Sequence, residues 1–257
     1  MKDHIHTIPV LDALRDPGGC PFCMMQKNLD SLAVDFIMGP AYMDEDIRDK
    51  TDEAGFCAGH LQKLYAVQNR LGAALLLHTH FKRMQKYLEG PAAVSAAERN
   101  PDNPQGRRFA KENVLGKGFF KKTVSSASKM AGQIASQQNR CYLCEKVEDT
   151  FNRYVDTFFY MWPREKEMRK LVQTLPGFCL PHYGMMMAKA EISLSKKHLE
   201  SFLSIVVPLQ QGAMAKLEGD LDWFIQKFDY RNNDAPWKNS KDAIIRAVAM
   251  LKGITVE

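Results

Sequence analysis

Cys20-Pro21-Phe22-Cys23 is followed by Gly55-Phe56-Cys57-Ala58-Gly59-His60, with 33 residues between Cys23 and Cys57. Cys141-Tyr142-Leu143-Cys144 is followed by Gly177-Phe178-Cys179-Leu180-Pro181-His182, with 34 between Cys144 and Cys179. The two halves therefore read C-x2-C-x33-C-x2-H and C-x2-C-x34-C-x2-H, offset by 121 residues at the first pair and by 122 at the second, and together they use all six cysteines. Asp35 and Asp156 also correspond at the offset of 121. Self-similarity at a fixed spacing is the mark of a repeated unit, so an internal duplication is expected.

Three thiolates and one imidazole make a complete tetrahedral set for zinc, and two-residue spacers let both members of each pair reach one ion. Grouping by proximity along the chain predicts one site from Cys20, Cys23, Cys57 and His60 and a second from Cys141, Cys144, Cys179 and His182, two zinc ions per chain. Four protein ligands leave no position for water or substrate, so the sites read as structural and no catalytic residues are assigned. Buried apolar cysteines have no reason to repeat this spacing. Thiol–disulfide chemistry or an iron–sulfur cluster with one histidine ligand stands as the alternative use of the same cysteines. CPFC lacks the βαβ context of a thioredoxin-type motif, and neither CxxC is followed by histidine, which excludes covalent c-type haem.

The surrounding pattern is helical. Leu61, Leu64, Tyr65, Leu71, Leu75, Phe81, Met84 and Leu88 recur at helical spacing, predicting a helix from about Gly59 to Glu89. Leu29, Leu32, Ala33, Phe36 and Ile37 continue a stripe after Cys23; Val147, Phe151, Tyr154, Val155 and Phe158 do so after Cys144. His182 opens a helical stretch to about Phe228, with a kink expected at Pro208. Strand-like alternation is scarce, so the fold expected is all-α: two tandem related helical units plus a C-terminal helix. Pro21 suits a first helical turn, and Gly55 and Gly177 suit a left-handed helix end that turns Phe56 and Phe178 inward. All eight ligands then sit near helix N-termini, where partial positive charge and free N–H groups favour thiolates.

The expected organisation is a first metal-binding unit over 1–90, a connector over 91–140, a second unit over 141–230, and a C-terminal turn and helix over 231–257. The connector holds the basic excess. Nine basic against three acidic residues between Gly90 and Arg140 give it +6, against +5 for the chain of 257 residues. A basic 107–129 segment interleaved with Phe109, Phe119 and Phe120 admits nucleic acid as a partner, although a solvated linker with a helix over about 107–136 is the plainer reading. Gly116-Lys117-Gly118 lacks the phosphate-loop pattern. Hydrophobic residues at 45% and charged residues at 25% exclude disordered and fibrous classes. No apolar run approaches the ~20 residues of a membrane span, and the first residues lack a signal-peptide core, so a cytoplasmic protein is expected.

Phe228-Asp229-Tyr230-Arg231-Asn232-Asn233-Asp234-Ala235-Pro236-Trp237 is turn-rich, with large aromatics near its ends, and precedes an amphipathic helix expected from Ser240 to Leu251. Its aromatics either form a recognition surface or pin the last helix to the core. His78 and His80 point apart on a helix and make a poor metal pair; His4 and His6 belong to a solvated start. The paired CxxC and GFCxxH motifs, closed by KFDYRN-x-D-x-PW, resemble an uncharacterised bacterial family, a domain of unknown function, from Cys20 to about Gly253. That family carries no established activity. The resulting expectation is a non-enzymatic metal-binding protein that recognises a macromolecule, most simply another protein, with a redox role as the alternative.

Overall fold

The computed structural model describes residues 5–15, 18–99 and 126–253. Helices α1 (Thr7–Arg15), α2 (Pro21–Met38), α3 (Glu45–Ala54), α4 (Ala58–Ala66) and α5 (Arg70–Arg99) lie before the connector. After it come α6 (Ser126–Gln138), α7 (Tyr142–Met161), α8 (Lys166–Gln173), α9 (Leu180–Ser193), α10 (Lys196–Gln226) and α11 (Ala243–Lys252). Short 3-10 turns occupy Pro40–Met43 and Tyr230–Asn232. Among the described residues there is no strand, and no helix is long and apolar enough to cross a membrane.

Two expected helices are each divided. The stripe from Gly59 to Glu89 breaks between α4 and α5 because Gln68 takes φ 64°, a left-handed conformation that ends α4, and Asn69 accepts from the Gly72 N–H at 2.9 Å to start α5. The stretch from His182 to Phe228 breaks at Leu194 and Ser195; Ser195 is the N-cap of α10, and its hydroxyl meets His198 Nδ1 at 3.0 Å. Pro208 lies inside α10, which is one helix on both sides of it. The apolar stripes cross both breaks, so periodicity alone does not reveal them.

The chain forms two compact units, one of Met1–Leu29 with Val147–Glu257 and one of Asp30–Lys146. The division falls inside α2 and inside α7. The first unit is built on aromatic side chains: Phe22, Phe151, Phe158, Phe159, Trp162, Phe178 and Phe202 share one buried cluster with Met168, Val172, Met186 and Val206. Trp162 meets Phe202 edge-on at 4.9 Å between ring centres, and Phe22 contacts Phe151, Phe158 and Phe178. The second unit packs α5 against α3, α4, α6 and the turn at Pro40–Met43. Its buried apolar side chains are Ala33, Val34, Ile37, Met38, Ala41, Ala54, Leu64, Leu76, Cys141 and Leu143, with no aromatic ring among the described residues.

The tail is pinned rather than displayed. Trp237 lies 5.7 Å from Phe224, and its neighbour Pro236 accepts from Trp223 Nε1 at 3.0 Å. The buried Lys227 ammonium donates to the carbonyls of Asn232, Asn233 and Ala235 at 2.6, 2.9 and 2.7 Å, satisfying all three of its donors. This corner turns the chain so that α11 packs on α9 and α10. Of the corner's aromatics, Phe228 and Tyr230 stand out, 75% and 82% exposed.

Phe158 is fully buried at the centre of the aromatic cluster. Phe158→Ala should therefore cost about 3–5 kcal/mol in denaturant unfolding of the full chain; a loss below about 1 kcal/mol would show that the cluster does not carry the first unit's stability.

Candidate metal centres

Each cysteine motif builds the same local device. Cys57 and Cys179 are the N-cap residues of α4 and α9, and Cys20 and Cys141 immediately precede α2 and α7. In all four, the carbonyl of the leading cysteine accepts the first helical bond: from Met24 at 3.2 Å, Leu61 at 2.9 Å, Glu145 at 3.0 Å and Tyr183 at 2.8 Å. Cys23, His60, Cys144 and His182 fall three residues later, where a side chain at N3 lies beside the N-cap side chain. A CxxC or CxxH motif is thus a helix start that offers two soft ligands on one side.

The motifs meet in pairs, and the pairing corrects the grouping expected from proximity along the chain. Centre 1 gathers Cys20, Cys23, Cys179 and His182; centre 2 gathers Cys57, His60, Cys141 and Cys144. In each, one ligand atom per residue lies within 4.8 Å of all the others. Every residue foreseen as a ligand falls in one of the two groups, but each CxxC joins the CxxH of the other half. Helix length explains the exchange. At 1.5 Å per residue, α2 carries the chain about 22 Å beyond Cys23, and α3 is only about 15 Å long. α7 and α8 repeat the disparity. All of centre 1 falls in the first unit and all of centre 2 in the second.

The distances would suit one small ion. In centre 1, His182 Nδ1 stands 3.6, 3.4 and 3.1 Å from the sulfurs of Cys20, Cys23 and Cys179, and Cys23 and Cys179 are 3.6 Å apart. In centre 2, His60 Nδ1 stands 3.3, 3.2 and 3.3 Å from the sulfurs of Cys57, Cys141 and Cys144, and Cys57 and Cys144 are 3.8 Å apart. Both imidazoles turn the same nitrogen inward. No disulfide joins any of these cysteines.

Sequence reasoning missed the residues around these ligands. Asp30 accepts from His60 Nε2 at 2.7 Å and from Lys63 Nζ at 2.5 Å, fixing the ring so that Nδ1 is the free ligand. Partial burial works against ionisation of Asp30, but Lys63 and His60 hold its carboxyl below the usual range. Phe151 stands 121 residues on, the offset between the CxxC motifs. It and Phe22 lie 5.5 and 5.7 Å from the His182 ring, so centre 1 has aromatic surroundings where centre 2 has a carboxylate. Buried Gln210 donates to the Phe178 carbonyl at 3.0 Å and accepts from the Phe178 N–H at 2.9 Å, holding the residue before Cys179. In centre 2 the corresponding turn is held by a bond from the Tyr142 N–H to the Gly55 carbonyl at 3.0 Å.

Gly253 ends α11 with φ 69°, and a Cβ there would lie 3.3 Å from the Cys179 sulfur and 3.4 Å from that of Cys23. The last helix therefore ends beside centre 1, where Gly253 lines an open cavity with Cys20, Cys23 and Cys179, a position that its place outside the cysteine motifs gave no reason to expect. Centre 2 is more open: Cys144 is exposed and Cys57 half-buried, while His60 and Cys141 are buried. Gly55 takes the expected left-handed turn at φ 65°, and Gly177 has φ 114°. Phe178 is buried as expected, whereas Phe56 is half-buried.

Without an ion the sulfurs and rings bind each other's protons. Hydrogen bonds with Cys179 and Cys23 hold the Cys20 thiol far below its usual range, and those with Cys179 and Cys20 push Cys23 far above it. Burial raises Cys57, but the His60 backbone N–H and the neighbouring thiols outweigh it and bring the thiol to about 7; burial and then Cys141 push Cys144 to about 12. Each centre thus holds one cysteine below and another above the usual thiol range; metal binding releases the protons of its ligands.

The remaining sequence candidates fall elsewhere. Asp156 pairs with Lys189 at 2.6 Å, and Asp35 is exposed on α2. His80 Nδ1 meets the Asp52 carbonyl at 3.0 Å. His4 and residues 107–125 of the basic segment lie outside the described residues.

Two measurements check this geometry. Burial lowers His182, but Cys179 and Cys20 raise its imidazolium to about 9 in place of 6.5. In the metal-free chain that stabilisation is complete below the unfolded value and is lost as pH rises through the folded one. NMR should find the ring protonated at about pH 8, well above the ~6.5 of a free histidine; a normal titration would contradict the arrangement. Asp30→Asn should weaken zinc affinity at centre 2 by about 10–100-fold in competition titrations and leave centre 1 unchanged.

No curated protein and no solved structure matches the chain. A family model does, over residues 1–257, and the chain belongs to that family of unknown function, DUF6062.

Proposed function

We propose that this chain is a non-enzymatic zinc protein, with one ion in each centre, whose metal-tied helices present a surface to a protein partner. The observation that carries the reading is the mutual approach of eight ligand atoms in two sets of four, each set within 4.8 Å. Zinc–sulfur bonds of about 2.3 Å and zinc–nitrogen bonds of about 2.0–2.1 Å, placed tetrahedrally, imply edges of about 3.8 Å between sulfurs and about 3.5 Å from sulfur to nitrogen. The sulfur pairs at 3.6 and 3.8 Å and the nitrogen–sulfur distances of 3.1 to 3.6 Å match those edges. An iron–sulfur cluster spreads its cysteines over separate irons and would hold these sulfurs farther apart.

Two helix N-termini face each ion. Three thiolates and one divalent cation leave a formal −1, which about +0.5 from each helix start offsets. Four protein ligands fill the tetrahedron, which supports a structural over a hydrolytic role. Thiolate ligation requires a reducing compartment, in keeping with a cytoplasmic location. Exposed apolar groups on α4 and α5, with Tyr65 at 66%, Leu71 at 63% and Phe81 at 65%, support a protein partner over nucleic acid.

Metal analysis of the full chain should find two zinc ions in a colourless sample. Paired substitutions test both metal and pairing. Cys57→Ser with Cys141→Ser should lose one ion, because both residues serve centre 2, whereas Cys23→Ser with Cys57→Ser should lose two. One ion lost in the second pair and two in the first would restore the sequential grouping; visible absorbance with bound iron would replace zinc by a cluster.

A further inference from the structure

The two centres carry the same ligands but stand in different surroundings. In centre 1, the residues beside the ligands are themselves core. Phe22 precedes Cys23, Phe178 precedes Cys179, and their rings lie 6.1 Å apart within the aromatic cluster. Gln210 clamps the backbone of Phe178, and Gly253 packs close against the sulfurs of Cys23 and Cys179. Remove an ion here and the packing still holds both helix starts together.

Centre 2 has little of this support. Of the neighbours of its ligands, Leu143 is buried, but Phe56 is only half-buried. The second unit's described core holds no aromatic ring, and Phe36, Leu61, Tyr65, Leu71 and Phe81 are all exposed. Besides the ligands themselves, the bonds seen between the two helix starts are one backbone bond, Tyr142 to Gly55, and the exposed ion pair of Arg140 with Glu53 just ahead of them. The carboxylate of Asp30 presets His60 for an incoming ion, and the exposed Cys144 gives a competing ligand a place to attack. A small apolar core makes a fold depend on its metal.

Building on the zinc reading above, we propose that centre 2 is a metal-responsive site. It takes up and surrenders a thiophilic divalent cation under conditions in which centre 1 stays loaded, and the order of the second unit follows its occupancy. Centre 1 is the permanent ion. The second unit's contribution to partner binding then varies with available zinc, while the first unit keeps its fold.

The test uses the full chain loaded with two zinc ions and exposed to excess EDTA. Metal is counted after rapid desalting, and hydrogen exchange is followed by mass spectrometry over the same times. One ion should leave at least tenfold faster than the other, and its loss should deprotect residues 45–66 and 141–146 while residues 151–206 stay protected. The Cys57→Ser chain should retain only the slow ion, and the Cys23→Ser chain only the fast one. Loss of both ions at one rate overturns the division, as does a fast ion that survives Cys57→Ser. Fast loss with unchanged exchange over 45–66 overturns the coupling to order. A chain that takes up no zinc would sink the reading of both centres, an outcome that metal analysis before EDTA separates from these.

Discussion

Four helix starts turned toward two points are the constraint on which this molecule depends. A thiolate needs hydrogen-bond donors and positive potential, and a helix N-terminus supplies both without spending another side chain. Placing one ligand at the N-cap and the next three residues on makes the backbone itself the chelate ring. The same first-turn bond, from residue i+4 to the carbonyl of the leading cysteine, recurs in all four motifs. A divalent ion shared by two such starts would fix the directions in which two helices leave it.

Local features of this device were legible in the sequence, because N-cap position, two-residue spacer and following apolar stripe all belong to one short segment. Pro21 begins α2 and Gly55 ends α3, each for a reason contained in its own side chain. What escaped is non-local. Asp30 lies on a stretch of α2 with no cysteine and meets His60 only through folding. Gln210 and Gly253 lie on helices that the motifs do not reach. The breaks at Gln68 and Ser195 were hidden by apolar stripes that continue across them, although Asn69 and Ser195 are ordinary N-cap residues and marked the places.

Correspondence of the two halves is closest at the ligands and weakest just behind them. Asp30 and Phe151 share the 121-residue offset, yet one supports an imidazole with charge and the other with an aromatic face. A carboxylate among Phe22, Phe158 and Phe178 would be an unpaired buried charge, and a phenyl ring beside Lys63 would leave that ammonium without its partner. Each choice fits its own unit, so the ligand sets are equivalent while their environments are not. The closing motif adds to the difference. Buried Lys227 organises the corner whose following helix ends beside centre 1, whereas centre 2 leaves Cys144 exposed.

The crossed pairing looks costly until its magnitude is set against the alternatives. Cys23 and Cys179 are 156 positions apart and Cys57 and Cys144 are 87, against 34 and 35 for pairing within each half. Loop-closure entropy grows only as the logarithm of length, so the longer loops cost on the order of 1 kcal/mol more each. A structural zinc ion has an apparent worth of about 10–16 kcal/mol in small peptides and is nearly indifferent to that difference. Sequential pairing would instead require α2 or α7 to break and fold back, giving up helical hydrogen bonds and, in α7, the packing of Phe151, Phe158 and Trp162 in one buried cluster. Helix continuity outweighs loop length, and proximity along the chain is therefore a poor guide to which ligands share an ion.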